Sequence, residues 1–397
     1  MPTSDSKTPL LRVIALSMAV LAGYVTVLST GPVAANVRLT QITDKSAFWY
    51  SVMASAGALV AAISFITFGR ISNRLLETRG SRQSIFIGAT LALAPAAYLL
   101  SVADSIPTVI ALWCFIQIPA AAVLSVATAV VLELVPERLI GFASGLFGAG
   151  AIVAIFFGVI VGTVFKNDPT PVLFTGLATA TLLTIPAALT KEKTEFKPEA
   201  IQASKVRAPK QFWFFIIAMA ASFAVSTLSS DYYYQLSLRL LNQDASAAAS
   251  LAQGIYAASA LTFLFASVGG GLLAKTSKPS LAIFTYSLLV SVVGVVAITF
   301  AQTTWMLILG AVITGLGTGL NVGAQLPVLR FTLPGREEVG REAGIFNVAS
   351  LIPSIVVPAF AAFVINSTGL DWPTTIGSIV AVIAVLGAAL ARTIRIR

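Results

Sequence analysis

Apolar runs of about twenty residues recur along the whole chain, and no other feature restricts its fold as much. A helix that crosses a bilayer needs roughly 20 apolar residues, because each residue rises about 1.5 Å against a hydrocarbon core of about 30 Å. That template finds candidates at 11–35, 47–68, 85–103, 108–132, 142–165 and 172–190, then at 212–234, 251–273, 280–300, 304–328, 345–367 and 374–391. Pro119 and Pro327 interrupt two of them; prolines are tolerated in spans where neighbouring helices re-satisfy the backbone. Of the 397 residues 57% are hydrophobic and 10% charged, whereas soluble domains run near a quarter charged. No polar stretch is long enough for a separate soluble domain, so the expected fold class is all-α integral membrane protein with twelve transmembrane helices. The polar start, Met1 to Thr8, is followed by an apolar run without a clear cleavage site, which reads as a first span and not a signal peptide.

The net charge of +9 admits two explanations, a nucleic-acid surface or a topology signal. Position decides between them. With the N-terminus inside, 21 of the 25 Lys and Arg fall in inner segments, and only Arg38, Lys45, Lys166 and Arg239 face out. That asymmetry follows the positive-inside rule, places both termini in the cytoplasm, and removes the need for nucleic acid. Trp49, Trp213, Trp305 and Trp372 sit at span ends, where indoles favour the headgroup level. Trp113 alone lies within a span.

The polar segment 191–211 holds six basic and three acidic residues with Pro198 and Pro209, and it divides the spans six and six. It reads as a solvated cytoplasmic linker between bundles at 1–190 and 212–397. The halves also match each other. Pro136, Gly141, Ser144, Gly145, Leu146 and Phe147 after span 4 correspond to Pro334, Gly340, Ala343, Gly344, Ile345 and Phe346 after span 10. More weakly, Gly69-Arg-Ile-Ser-Asn-Arg74 after span 2 corresponds to Gly270-Gly-Leu-Leu-Ala-Lys275 after span 8. Matched halves in a membrane protein point to two bundles around a shared axis.

Several chemistries are excluded. The chain has no histidine, and Cys114 is its only cysteine, so internal disulfides, Cys/His metal sites and Ser-His or Cys-His catalysis are ruled out. No cofactor is expected.

The loop Gly69-Arg-Ile-Ser-Asn-Arg74 followed by Gly80-Ser-Arg82 resembles the inner-loop signature of the major facilitator superfamily, a Gly-x-x-x-Asp-Arg-x-Gly-Arg-Arg type of sequence. With twelve spans split six and six, the resemblance covers the whole chain. The extra residues between Arg74 and Gly80 and the Gly-rich starts of spans 5 and 11 are closest to the sugar–cation symporter branch. The resemblance implies two six-helix bundles, alternating access about a central cavity, and secondary transport of a small solute coupled to a proton or sodium ion. It further implies that the acidic residue of this loop latches the inner side. Here that position is Asn73, which leaves Arg70, Arg74 and Arg82 to seek Glu133 and Glu137. The latch group is thus Gly69, Asn73, Arg74, Gly80, Arg82, Glu133 and Arg138, set against plain positive-inside anchoring. Span 5 carries Gly148, Gly150, Gly158 and Gly162 but lacks the Gly-Pro pair of the drug antiporters; close packing of helices is the default role for such glycines.

Ion coupling ordinarily requires an ionisable group inside the bundle. No acid falls at mid-depth, so the expectation is either facilitated diffusion or coupling through Glu133, near the inner edge of span 4, or Asp231, near the outer edge of span 7. Uncharged polar groups are the solute-binding candidates: Tyr24, Gln117, and Asn321 with Gln325, the last two four apart on one helix face. Amides and a phenol donate and accept together, which suits hydroxylated or amide-bearing solutes; the alternative role is interhelical hydrogen bonding. Tyr232 to Tyr234 read as an interfacial aromatic belt or an outer gate. The expectation is a carrier of a small polar organic solute in the cytoplasmic membrane. Efflux of amphipathic compounds is the rival within the class, and a membrane enzyme or scaffold the rival outside it. The lack of a reactive constellation argues against an enzyme.

Overall fold

The structure, a computed structural model, describes residues 8–165, 168–189, 210–228, 230–242, 244–333, 339–367 and 371–395; the side chains of Asp231 and of some other helical residues are outside that description. The 191–211 linker, apart from its last two residues, is likewise outside the described residues. Among the described residues all regular structure is helical: α1 Thr8–Tyr24, a π-helical segment Val25–Thr30, α2 Gly31–Ile42, α3 Ser46–Arg79, α4 Gln83–Ser101, α5 Ile106–Leu134, α6 Glu137–Val164 and α7 Pro169–Leu189. The chain continues through α8 Lys210–Ser226, α9 Ser230–Leu240, α10 Ala245–Leu273, α11 Ser277–Thr299, α12 Thr304–Thr332, α13 Val339–Ser367 and α14 Trp372–Arg392.

Among the described residues, ten helical stretches are long and apolar enough to cross a membrane. α13 and the shorter α8, continued by α9, occupy the places of the other two expected spans. Two spans depart from uniform α-helix. The first widens into a π-helix just after Tyr24, and the seventh, expected over 212–234, is broken at Thr227 and Leu228 between α8 and α9. The internal prolines Pro95, Pro119, Pro186 and Pro327 leave α4, α5, α7 and α12 continuous.

The helix ends are set by local chemistry. Ser105 caps α5 by accepting from the Thr108 N–H, and Asp244 caps α10 by accepting from Ser246 and Ala247. α3 ends at Gly80, whose φ of 65° is left-handed and whose N–H donates to the Leu76 carbonyl, a conformation that glycine adopts without a Cβ penalty. At 34 residues, α3 is about 51 Å long. It outreaches an about 30 Å hydrocarbon core, so its arginine-bearing last turns stand in the aqueous interface.

By contact the chain separates into two units. One comprises residues 1–136, 150–207 and 335–348, the other 137–149, 208–334 and 349–397. The first turns of α6 therefore belong with the second unit and the first turns of α13 with the first. The first unit is centred on Met53, Leu100, Trp113, Ile116 and Val172, and the second on Tyr232, Tyr233, Leu236, Ile298, Leu307 and Val380. Outside these cores the helices present large apolar side chains, among them Leu91 at 70% exposure, Phe265 at 71% and Trp305 at 80%. Apolar exposure on that scale suits hydrocarbon and not water.

Candidate functional site: two glycine crossings and a buried amide

In the first unit, the end of α3 crosses the start of α13 at glycines. A Cβ on Gly69 would lie 2.2 Å from the Gly340 carbonyl oxygen, and one on Gly344 would lie 2.6 Å from that of Phe65. Backbone approach this close excludes any side chain. Asn73 completes the crossing: its Oδ1 accepts the Gly340 N–H at 3.0 Å. That N–H belongs to the first turn of α13, where N–H groups have no intrahelical partner. The loop therefore keeps its acceptor although it lacks the carboxylate, and what it loses is the charge.

Beside this crossing Arg82, fully buried, forms a bidentate pair with Glu133, both oxygens at 2.8 Å, while its Nε donates to the Ser72 carbonyl at 3.3 Å. A planar guanidinium suits this fork geometry. Of the three arginines expected to seek a carboxylate, only Arg82 finds one. Arg70, Arg74 and Arg138 are exposed and form no ion pair among the described residues. Glu137 is exposed too. The reason is reach: Gly80 turns the chain so that Arg82, preceding α4, points back beneath α5, while Arg70 and Arg74 lie on the outward face of α3. Glu342, fully buried in the first turn of α13 with Arg341 at 3.9 Å, is an acid that sequence reasoning passed over.

The second unit builds the matching crossing between α6 and α10 from different parts. A Cβ on Gly271 would lie 2.1 Å from the Gly141 oxygen, and one on Gly145 would lie 2.5 Å from the Ser267 oxygen. One hydroxyl replaces the amide: Ser267 reaches the Gly145 carbonyl at 3.2 Å, sharing its proton with the Leu264 carbonyl of its own helix at 2.9 Å. Ser144 instead ties α6 to α12, donating to Val322 at 2.6 Å and accepting from the Leu326 N–H at 3.2 Å. The counterpart of Gly69 is thus Gly271, one residue beyond the Gly270 that sequence matching selects. Three successive glycines, Gly269 to Gly271, make that register undecidable from letters; Gly270 instead faces the Leu320 backbone.

The four solute-binding candidates separate by their hydrogen bonds. Asn321, fully buried on α12, donates to the Phe284 carbonyl at 3.0 Å and to Ser287 Oγ at 3.1 Å, and its Oδ1 accepts from Ser222 at 2.6 Å and from Gln325 at 3.0 Å. Donors and acceptor are all engaged across α8, α11 and α12. Gln325 is tied to Asn321 and is likewise buried. Gln117 on α5 is the opposite case: it is 5% exposed, and its amide forms no hydrogen bond among the described residues. One turn earlier on the same face is Trp113, whose buried Nε1–H has no partner among the described residues either. Both crowd onto Gly57 of α3, where a Cβ would come 2.3 Å from the indole nitrogen and 3.3 Å from Gln117 Cγ. Tyr24 is half-buried at the last turn of α1, next to the π-helical segment and facing Gly150 of α6.

Sequence reasoning did not single out Trp113 as a site residue. The available signal was its position as the one tryptophan away from a span end. The tyrosines also differ from expectation. Tyr232 and Tyr233 are 3% exposed and packed into the second unit's core, with the Tyr232 hydroxyl 2.9 Å from Thr299 Oγ1, so they do not form an interfacial belt. α9 turns this face inward, and the exposed pair Arg239–Asp371, at 3.0 Å, lies beside it. Asp231 is within α9, but its side chain is outside the described residues.

Long apolar helices and two units with matching glycine crossings define a polytopic helical membrane protein. Its family follows from comparison with known proteins. The model of the Major Facilitator Superfamily matches residues 13–279 and again 230–396, and the chain belongs to that superfamily. No curated protein is similar in sequence. The fold is similar to that of the Escherichia coli fucose:proton symporter FucP in a variant form, with a TM-score of 0.73 and 14% identity over 100% of both chains. It is similar to FucP in an outward conformation, with a TM-score of 0.71 and 15% identity over 99% of both. The human organic anion transporter MFSD10 (TETRAN) also matches, with a TM-score of 0.69 and 12% identity over 98% of this chain and 100% of that one. At such identities the likeness is one of fold.

Proposed function

We propose that this protein carries a small, neutral, polar organic solute across the cell membrane by alternating access. The observation that carries the reading is a pair of polar groups on α5: Trp113 Nε1, buried with no partner among the described residues, and the amide of Gln117 one turn on, which forms no hydrogen bond among them. A buried polar group without a partner costs about 1–3 kcal/mol, and a solute that hydrogen-bonds to it removes that cost. The amide offers a donor and an acceptor and the indole a donor, which suits a hydroxylated solute. Tyr24 and Gln325 are the further proposed contacts, and Asn321, already saturated, holds Gln325 in place. FucP, a fucose:proton symporter, is a fold neighbour consistent with this class.

Efflux of amphipathic compounds is the second reading, favoured by the fold likeness to an organic anion transporter. An anion held at mid-depth calls for a cation there, and every Lys and Arg lies outside the apolar spans or at the edge of one. The neutral solute is therefore the stronger reading. Transport is either facilitated diffusion or coupled to a proton or sodium ion through Glu133, in competition with Arg82, or through Asp231. In the proposed arrangement the bundles 1–190 and 212–397 flank the linker 191–211, both termini are cytoplasmic, and Gly69, Asn73, Gly80, Arg82 and Glu133 latch the inner side, with Arg74 and Arg138 at its rim.

Thermal-shift screening of the purified protein against neutral sugars, polyols and organic anions tests the reading, since a ligand that binds the folded state raises its stability. A neutral hydroxylated compound should stabilise the protein, and Gln117→Ala should weaken that affinity by about 1–3 kcal/mol with the fold intact. Unchanged affinity in folded Gln117→Ala protein, or stabilisation by organic anions alone, defeats it.

A further inference from the structure

A second site lies in the first unit, against the face of α5 that carries Phe115 and Pro119 and not the one that carries Trp113 and Gln117. α3 and α4 both pack against α5 but make hardly any contact with each other, and the gap between them is a cleft of about 350 Å³. That volume is within the range of small-molecule sites, roughly 300–1,000 Å³. Its walls are almost wholly apolar. Phe68 and Leu75 come from α3, Gly88 from α4, and Phe115 and Pro119 from α5. A Cβ on Gly88 would meet nothing within 4 Å, so the space is open on the α4 side. Leu91 and Ile87, beside it on α4, are 70% and 50% exposed, so the cleft opens onto the surface that faces hydrocarbon.

Its aqueous end is different. Arg79, the last residue of α3, and Ser84, in the first turn of α4, line the mouth and are both exposed. Phe68, Leu75 and Arg79 follow one another at helical spacing on a single face of α3, so the cation caps the same groove that the apolar residues form. Arg79 has no ion-pair partner among the described residues. The acid nearest in sequence, Glu77, is two residues back, a spacing that does not bring side chains together. Hydrocarbon below and an unpaired guanidinium with a hydroxyl above complement one kind of molecule.

We propose that this cleft binds an anionic phospholipid, with one acyl chain between α3, α4 and α5 and the phosphate on Arg79 and Ser84. Apolar depth selects a chain, and the unpaired cation at the interface selects negative over zwitterionic headgroups. A neutral solute of the kind proposed for Gln117 has no use for either feature. On the topology proposed above this is the cytoplasmic leaflet, but the lipid site does not depend on that assignment or on transport.

Native mass spectrometry of the full-length protein with POPG and POPC, together with melting in vesicles of POPC alone and of POPC with POPG, tests the proposal. The wild type should retain one POPG in preference to POPC and melt higher in the mixed vesicles. Arg79→Gln should bind POPG about fivefold more weakly, the factor that about 1 kcal/mol per basic group near the surface corresponds to, and should lose the headgroup preference. Arg79→Lys should restore most of it. Gly88→Phe should displace both lipids without loss of folded protein. The proposal is overturned if folded Arg79→Gln keeps the full POPG preference, if POPC is retained as well as POPG by the wild type, or if Gly88→Phe leaves both lipids bound. Displacement of POPG by a transported solute would make the cleft an entry route, and that also overturns it.

Discussion

The two glycine crossings carry the same backbone approach and secure it differently. In the first unit Gly69 meets Gly340 and a single side-chain amide, Asn73, reaches the first turn of α13; a buried arginine–carboxylate pair stands beside it. In the second unit Gly271 meets Gly141, one serine hydroxyl, that of Ser267, reaches across to a main-chain carbonyl, and a second, that of Ser144, ties α6 to the neighbouring α12. At the positions of Ser144 and Ser267 the first unit has Ala343 and Phe65, so neither device is duplicated. The glycines are a steric requirement and recur. The polar contacts that hold them are interchangeable, so they diverge. One consequence is that charge acts on the first crossing, through Arg82, Glu133 and the dipole of α13, while the contacts at the second are made by neutral groups.

Breaking the ion pair should show the largest difference between the units. Arg82→Met leaves Glu133 with a nearly buried, uncompensated charge and should cost about 3–5 kcal/mol in unfolding measured in detergent. The double variant Arg82→Met with Glu133→Leu should recover most of that loss. If Arg82→Met alone is neutral, the pair does not distinguish the units.

Next in size are the glycines, where the units should agree. Gly69→Ala and Gly271→Ala each drive a methyl onto a carbonyl oxygen that has no flexible side chain to yield, and overpacking of this kind costs about 1–3 kcal/mol. Matching losses in melting temperature would confirm a shared steric requirement. Tolerance at Gly271 with loss at Gly270 would restore the register read from sequence.

Smaller effects belong to the polar contacts. Asn73→Ala removes an acceptor from the start of α13 and should cost about 0.5–2 kcal/mol, as helix-capping substitutions do; Ser267→Ala in the second unit should cost about 0.5–1.5 kcal/mol. The smallest change expected is a gain. Asn73→Asp places a carboxylate at a helix N-terminus and should stabilise by about 0.3–1 kcal/mol at low ionic strength, fading as salt is added. An Asn73→Asp protein that is no more stable at low salt would show that the amide acts by shape and not as an acceptor on the α13 dipole.

Much of this was legible in the sequence where a property is summed over many residues. The span positions came through because each averages about twenty side chains, and Pro119 or Pro327 cannot outweigh the rest. The glycine pattern of spans 5 and 11 was legible because only one residue type permits such approach. Single polar residues were not legible. Asn321 and Gln117 look alike as letters, each an amide in an apolar run, yet one is saturated and the other forms no hydrogen bond among the described residues. Trp113 and Glu342 gave almost no signal, since a tryptophan within a span or an acid at a helix start is ordinary by itself.

The sequence alone determined that this chain is helical, membrane-embedded and divided into related halves, because the bilayer demands long apolar runs with internally satisfied backbones. Tertiary structure decided which arginine found Glu133, which glycine in a run of three touches Gly141, and which buried amide was left unpaired. Those outcomes depend on ångström-scale placement of atoms contributed by helices far apart in the chain, and a hydrogen bond fails within a few tenths of an ångström and a few tens of degrees, whereas hydrophobic burial does not.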